Sequence, residues 1–125
     1  MTPAPHPQRR GPVLEVATFI PTPAQRQAFA ASLRSSVSLL QSAPGYESHV
    51  IGTCAEEEGT FVLFVWWATL EAHVRDFRAS AAHREWRGAL AQYLCSEPIV
   101  RHFYLDDPHC GPPGPASSSL RVIEL

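Results

Sequence analysis

The sequence predicts a single α+β domain with the element order β-α-β-β-α-α-β and an antiparallel sheet. Its 125 residues are enough for one domain and too few for two. Segments with alternating apolar residues, typical of strands, are separated by segments in which apolar residues recur every three or four positions, typical of helices. One strand is apolar on both faces, which predicts that both faces of the sheet are covered.

Composition and charge exclude several classes of protein. Hydrophobic residues make up 45% of the chain, which excludes a disordered protein, and the formal charge of −2 gives no basic surplus for binding nucleic acid. Three cysteines, none in a CxxC pair, argue against a disulfide framework and a structural zinc site. The longest apolar run, residues 61–68, is too short to span a bilayer, and no signal peptide is visible. We therefore expect a cytoplasmic protein with no membrane or nucleic-acid partner.

The chain divides into three zones. Residues 1–12 are rich in proline and predict a disordered arm. Residues 13–105 carry all of the hydrophobic periodicity and predict the domain. Residues 106–125 are rich in Pro, Gly and Ser and predict a tail, whose apolar end at 120–125 could add an edge strand to a sheet.

The first half of the domain predicts a strand, a helix and two more strands. The β-rich segment 13–20 is followed by Thr22 and Pro23, which predict a helix N-terminus with Pro at the first helical position. An apolar stripe at helical spacing follows, and Pro44 and Gly45 end this helix. Strands joined by a charged turn are then predicted over 46–54 and 60–68.

The second half predicts two short helices and a last strand. Thr69 is expected to cap a helix that ends at Arg78, and Ser80 a helix that ends near position 94. A proline follows this second helix, and residues 99–105 predict the last strand. These elements complete the β-α-β-β-α-α-β order.

The strand over 61–68 predicts how the protein assembles. One face of this strand carries Phe61, Leu63, Val65 and Trp67, and the other carries Val62, Phe64 and Trp66. In a one-layer α+β domain the helices cover one face only, and this chain has no spare strands to cover the other. A homodimer joined sheet to sheet is the simplest way to bury both.

The two short helices carry the residues that indicate chemistry. His73 shares an apolar stripe with Leu70 and Phe77, so its side chain is expected to face inward. Burial disfavours the charged imidazolium, which leaves a neutral histidine able to accept a proton. We interpret His73 as a catalytic base; a hydrogen-bonded core histidine is the alternative. The second helix presents a similar inward stripe of His83, Trp86, Leu90 and Tyr93.

Two consecutive tryptophans end the central strand. Because neighbouring residues alternate, one of Trp66 and Trp67 should face the helices and the other the second face of the sheet. We assign Trp67 to the catalytic site, and Trp66 and His49 to substrate binding. No His, Cys or carboxylate set has metal-ligand spacing and no glycine-rich phosphate loop occurs, so we expect neither a metal nor a cofactor.

Several short motifs point to a known family. They are Pro44-Gly45-Tyr46, Trp67-Ala-Thr-Leu-Glu-Ala-His73, Phe77-Arg-Ala-Ser80, His83-Arg-Glu-Trp86 and Val100-Arg-His102-Phe-Tyr104. Together they resemble the antibiotic biosynthesis monooxygenase family, closest to its fungal branch, over about residues 13–105. The resemblance implies a ferredoxin-like dimeric α+β barrel with a pocket between the sheet and the helices of each subunit.

The resemblance also implies a function. It suggests a cofactor-independent monooxygenase that oxidises an aromatic polyketide-type phenol or anthrone in secondary metabolism. His73 would remove a proton, and Trp67 or Trp66 would stack on the ring or donate an indole N–H hydrogen bond. The residues expected to shape the pocket are His83, Trp86 and Tyr93.

The absence of asparagine limits what the resemblance implies. The family's haem degraders resemble one another in an Asn on the first strand, and this sequence contains no Asn, which argues against haem degradation. Thr18 is a shorter substitute for that amide. Two other functions remain open: a polyketide cyclase or lyase that uses the same histidine base without oxygen, and a non-catalytic dimer that binds a small molecule.

Overall fold

Four antiparallel strands form one open sheet. The computed structural model describes residues 11–105. The strands are β1 (Val13–Phe19), β2 (Tyr46–Thr53), β3 (Phe61–Trp67) and β4 (Ile99–Tyr104). They lie in the order β2-β3-β1-β4, and every neighbouring pair is antiparallel. This arrangement confirms the predicted ferredoxin-like α+β fold, and the sheet of one chain does not close into a barrel.

Three helical segments pack on one face of the sheet. Helix α1 (Arg26–Gln41) follows a short 3-10 turn over Pro23–Gln25, and α2 (Ala81–Ala91) precedes β4. A π-helix over Ala72–Phe77 lies between β3 and α2. The α-helix thus begins at Arg26 rather than directly after Thr22, because the first turn is 3-10 and the Thr22 side chain makes no hydrogen bond to the helix backbone.

The segment before α2 differs from the α-helix that its apolar spacing predicts. The backbone N–H of Arg78 donates to the carbonyl of His73, five residues earlier, at 3.2 Å, which is the hydrogen bond of a π-helix. The rings of His73 and Phe77 in this segment stack, with centroids 6.1 Å apart and planes 28° from parallel. Both predicted caps, Thr69 and Ser80, accept a backbone N–H three residues on, each at 3.1 Å. Single π-turns of this kind often occur at functional sites.

Alternation along the strands separates a core face from an open face. The core face of β3 carries Phe61, Leu63, Val65 and Trp67, which are buried against the helices. The residues between them, Val62, Phe64 and Trp66, point to the opposite, open face, on which residues 11–105 place no helix. Trp67 is therefore the tryptophan that faces the helices, and it is fully buried.

Two of the three predicted zones lie wholly or mostly outside the described residues. The predicted arm over 1–12 lies outside them except at positions 11 and 12, and the predicted tail over 106–125 lies outside them altogether. All four strands and all three helical segments fall within 13–105. Within residues 11–105, no helix has both the length and the apolar character needed to cross a bilayer.

Gly45 is required both by its backbone conformation and by close packing. Its φ is +90°, and a Cβ at this position would lie 2.5 Å from the Cβ of Ala72 in the π-helix. We therefore expect Gly45→Ala to lower the free energy of unfolding by more than about 1–2 kcal/mol. Gly88→Ala in α2 is the matched control, because a Cβ there meets open space, and it should stabilise by roughly 0.5–1 kcal/mol. Urea denaturation measures both, and equal effects would contradict this account.

Candidate active site

A cavity of about 460 Å³ lies between the sheet and the helices. This volume is within the range of pockets that hold small organic molecules. Its wall includes Glu15, Ala17 and Phe19 of β1, His73, Phe77 and Arg78 of the π-helix and its end, and His83, Trp86 and Arg87 of α2. The cavity therefore combines an apolar and aromatic wall with a few ionisable groups.

Glu15 is a buried carboxyl group in this wall. The residue is 6% exposed, and the indole N–H of Trp67 donates to its Oε1 atom at 2.8 Å. Burial raises the pKa of Glu15 to about 7, although the Trp67 hydrogen bond and the positive charge of Arg78 both act to lower it. Near neutral pH this carboxyl group can therefore both accept and release a proton.

His73 lies between Glu15 and a second histidine, His102 of β4. Its Nε2 atom is 3.5 Å from Glu15 Oε1, and its Nδ1 atom is 2.7 Å from His102 Nε2. The ring of Trp67 stacks on His73, with centroids 5.0 Å apart and planes 16° from parallel. Burial, and then the charges of neighbouring cationic groups, lowers the pKa of His73 to about 3. The neutral imidazole expected from the sequence is thus the form present at physiological pH.

Two further imidazoles complete the site. His102 lies directly opposite Glu15 in the pairing of β1 with β4, and burial followed by the charge of Arg78 lowers its pKa. His83, near the start of α2, contacts Phe77 edge to face with centroids 5.3 Å apart. Burial and two neighbouring arginines lower the pKa of His83. All three imidazoles therefore favour the neutral form.

The structure brings some of the predicted site residues together. His73, His83 and Trp86 line the cavity. Trp67 lies behind His73, where it contacts both the imidazole and the Glu15 carboxyl group. Trp67 belongs to β3, His73 to the π-helix, and His83 and Trp86 to α2.

The other predicted site residues lie away from the cavity. Thr18 and Trp66 point to the open face, because neighbouring residues of a strand alternate between the two faces. Tyr93, beyond the end of α2, packs edge to face on a core phenylalanine at 6.4 Å. His49 lies on the edge strand β2, where its Nδ1 atom is 2.7 Å from the hydroxyl oxygen of Tyr46.

Sequence reasoning missed Glu15, although the sequence carries a signal for it. Glu15 is the only charged residue in the segment Val13–Phe19. It shares a strand face with Val13, Ala17 and Phe19, which are all buried. A carboxyl group is rarely tolerated on a buried strand face without a partner, so Glu15 becomes a candidate functional residue once the pairing of β1 with β3 shows that this face is inward.

The arrangement is suited to moving protons. His73 directs both ring nitrogens at protein partners, and each partner is itself ionisable. Residues 11–105 contain no group of three or more His, Cys, Asp or Glu side chains placed to hold a metal ion. The fold and the site together define a small ferredoxin-like domain with an acid–base pocket.

The chain belongs to the antibiotic biosynthesis monooxygenase family, whose sequence profile matches residues 12–89. Over 77 residues it is 34% identical to the uncharacterised protein YczJ of Bacillus subtilis, a match that covers 62% of this chain and 81% of that protein. Family membership confirms the resemblance carried by the sequence motifs.

Several solved structures share this fold. A Bordetella bronchiseptica protein that bears the family's name superposes with a TM-score of 0.73 at 27% identity, over 77% of this chain and 98% of its own. Rv0793 from Mycobacterium tuberculosis superposes with a TM-score of 0.66 at 26% identity, over 78% of this chain and 98% of its own. SnoaB, a cofactor-independent oxygenase from Streptomyces nogalater, superposes with a TM-score of 0.68 at 17% identity, over 81% of this chain and 99% of its own. At that identity the likeness is one of fold alone.

Proposed function

We propose that this protein is a cofactor-independent oxygenase that oxidises an aromatic, polyketide-type phenol or anthrone in secondary metabolism. The observation that carries the proposal is the buried Glu15, whose pKa is near neutrality, in the wall of an aromatic cavity. Membership of the family supports the same class of reaction. So does the fold shared with SnoaB, itself described as a cofactor-independent oxygenase.

Glu15 is the proposed base, and His73 and Trp67 act through it. A phenol or an activated C–H group loses its proton readily only to a base of matched pKa within hydrogen-bond reach. Ionised Glu15 takes this proton, and the indole N–H of Trp67 keeps its carboxyl group in place. His73 stays neutral beside it, with its Nε2 atom 3.5 Å from Glu15 Oε1.

Arg78 is the proposed partner of the negative charge that develops on the substrate. It lies in the cavity wall, and its positive charge already acts on Glu15. A cation in this position stabilises a phenolate, and later a peroxide anion, by its opposite charge. Phe77 and Trp86 offer rings against which a planar aromatic substrate can pack.

The deprotonated substrate reacts with molecular oxygen without a cofactor. Electrons from its carbanion reduce O2, a C–O bond forms, and the resulting peroxide anion takes up a proton. The proton on the carbon that bears the peroxide then leaves as the O–O bond breaks, which leaves a carbonyl group, and the departing hydroxide takes up a proton to become water. One oxygen atom enters the product and the other becomes water, so no external reductant is needed. Glu15 takes up the two substrate protons in turn and returns the first to the peroxide anion and the second to the hydroxide.

Oxygen uptake by the purified protein with an anthrone tests this proposal, measured against the protein-free autoxidation. We expect one O2 to be consumed for each quinone formed, 18O from 18O2 to appear in the product, and no product in anaerobic buffer. Turnover at an unchanged rate without oxygen would instead identify a cyclase or lyase that uses the same base. Binding without any conversion would identify a non-catalytic binding protein.

We also propose a homodimer joined through the open face of the sheet. Phe64 and Trp66 of β3 lie on this face, and so do Ile99 and Phe103 of β4, which are 56% and 47% exposed. Among the described residues, the indole N–H of Trp66 is buried without a hydrogen-bond partner. An apolar face of this kind favours association with a second copy that presents the same surface.

Sedimentation at micromolar concentration is expected to give twice the 13.8 kDa mass of the chain. Phe64→Arg should shift the protein to monomers, because it buries an unpaired charge in the middle of the open face. Arg84→Glu, on the exposed side of α2, is the control and should leave the mass unchanged. A wild-type protein that sediments as a stable monomer would exclude this dimer.

A further inference from the structure

Glu15, His73 and His102 form a row that joins two separate spaces. Glu15 and His73 line the cavity, whereas His102 lines a groove between β4 and the outer side of the helical segment that carries Leu70 and Val74. His73 is only 4% exposed and stands between the two spaces. The two steps along the row measure 3.5 Å and 2.7 Å.

We propose that this row is a proton relay that passes protons between Glu15 in the cavity and water in the groove, by way of His73 and His102. The relay rests on the proposed function in one respect, namely that the substrate delivers the proton to Glu15. A substrate that fills the cavity shields Glu15 from water. A route through the protein lets this carboxyl group lose or regain its proton while the substrate stays bound.

The proton transfers of the relay conserve the number of protons and leave both imidazoles neutral. Protonated Glu15 gives its proton to Nε2 of His73, and the Nδ1–H group of His73 gives its proton to Nε2 of His102. The remaining ring N–H of His102 then releases a proton to water. Glu15 ends as a carboxylate, and each histidine ends as its other neutral tautomer. The reverse sequence returns a proton to Glu15.

The charges that face the row favour this exchange of tautomers over a charged imidazole. Arg78, at the end of the π-helix, lowers the pKa of both histidines of the row. From α2, His83 and Arg87 face the same cavity, and Arg87 lies 3.6 Å from Glu97 of the segment before β4. A proton held on either histidine of the row would be repelled by Arg78, so transfer through neutral forms costs less free energy.

Trp67 keeps the first step of the relay in position. Its indole N–H holds Glu15 and its ring stacks on His73, so one side chain aligns both partners. The 3.5 Å separation between Glu15 and His73 is longer than a hydrogen bond. Contacts of this kind in substrate-free proteins often shorten when the substrate binds.

NMR of the substrate-free protein tests the relay without any assumption about the reaction. The sample carries 15N in the imidazole rings and 13C in the glutamate carboxyl groups. We expect Glu15 to titrate near pH 7, and His73 and His102 to change tautomer with the same midpoint while both stay neutral. The two nitrogens of each ring would then exchange protonated and unprotonated chemical shifts.

Two comparisons make this experiment decisive. In Glu15→Gln the tautomers of His73 and His102 should no longer depend on pH across this range. His49, which is hydrogen-bonded to Tyr46 on β2, is the internal control and should not follow the Glu15 midpoint. The relay is excluded if His73 keeps one tautomer while Glu15 titrates, or if it becomes an imidazolium.

Turnover of the His102 variants separates the relay from the proposed function. Folded His102→Ala should lose roughly tenfold or more in oxygen-dependent turnover, and added imidazole should restore part of it. His102→Gln, whose amide forms hydrogen bonds without changing tautomer, should show the loss without the rescue. Full activity in both variants would overturn the relay and leave the oxygenase standing. If the tautomers of His73 and His102 change together with the ionisation of Glu15 but the protein consumes no oxygen, the relay is supported and the oxygenase is overturned.

Discussion

Glu15→Gln is expected to lower turnover roughly 10²–10⁴-fold without disturbing the fold. Glutamine has nearly the same shape, and its amide oxygen can still accept the indole N–H of Trp67. The amide cannot take up the proton of the substrate, however. His73 cannot replace the carboxyl group at neutral pH, because its pKa of about 3 makes it a weak base.

Single-turnover kinetics and the melting temperature together test this expectation. Glu85→Gln makes the same chemical change on the exposed side of α2 and should leave kcat unchanged. Adding His73→Ala to Glu15→Gln should cost little further activity, since the two residues act as a unit. Full activity in a folded Glu15→Gln variant would show that the base is another group.

The Glu15 carboxyl group should make the fold less stable as the pH rises from 4.5. Its pKa is raised from 4.5 to about 7 in the folded protein, so the folded state binds one more proton than the unfolded chain over this interval. The stabilisation is complete below pH 4.5 and is lost as the pH rises through 7. It amounts to about 3 kcal/mol.

His73 acts in the opposite direction. Burial lowers its pKa from 6.5 to about 3, so below pH 6.5 the unfolded chain takes up a proton that the folded protein does not accept. Its contribution to stability is present above pH 6.5 and is lost as the pH falls toward 3. In the wild-type protein the two effects therefore oppose each other between pH 4.5 and 6.5.

The difference in unfolding free energy between the wild type and Glu15→Gln isolates the carboxyl group. Urea denaturation at a series of pH values measures this difference. Between pH 4.5 and about pH 8, the free energy of unfolding of the variant should rise by about 3 kcal/mol relative to that of the wild type. Glu85→Gln, the same change on the exposed side of α2, is measured alongside as the control. A pH-independent difference for Glu15→Gln would mean that Glu15 titrates like an exposed carboxyl group.

The sheet and its helices could be predicted because their signals are local. Alternation over 61–67 and the apolar stripe of the first long helix each specify a type of element. The π-helix could not be predicted in this way, since α- and π-turns both place His73 and Phe77 on one side. What distinguishes them is the backbone hydrogen bond from Arg78 to His73. The close contact of Gly45 with this segment depends on tertiary packing and leaves no mark in the periodicity.

The site could be predicted only in part, because alternation along a strand shows which residues share a face but not which of the two faces is buried. The sequence shows that Trp66 and Trp67 face opposite ways without saying which one faces the helices. Placing Trp67 inward requires the pairing of β1 with β3, which also places Glu15 inward and Thr18 outward. The contact between His73 and His102 joins residues 29 positions apart, and no local pattern encodes it.

The hydrogen bond between Trp67 and Glu15 also bears on how the chain avoids a misaligned sheet. Both faces of β3 are apolar, so shifting this strand by one residue would exchange its two faces while still burying hydrophobic surface. Hydrophobicity alone therefore penalises such a slip only weakly. The slipped strand would turn the indole of Trp67 to the open face, which breaks its hydrogen bond to Glu15 and its stacking on His73. One polar contact in the core thus helps to select the correct alignment during folding, and a one-residue insertion within β3 should be tolerated far less well than one in the turn before it.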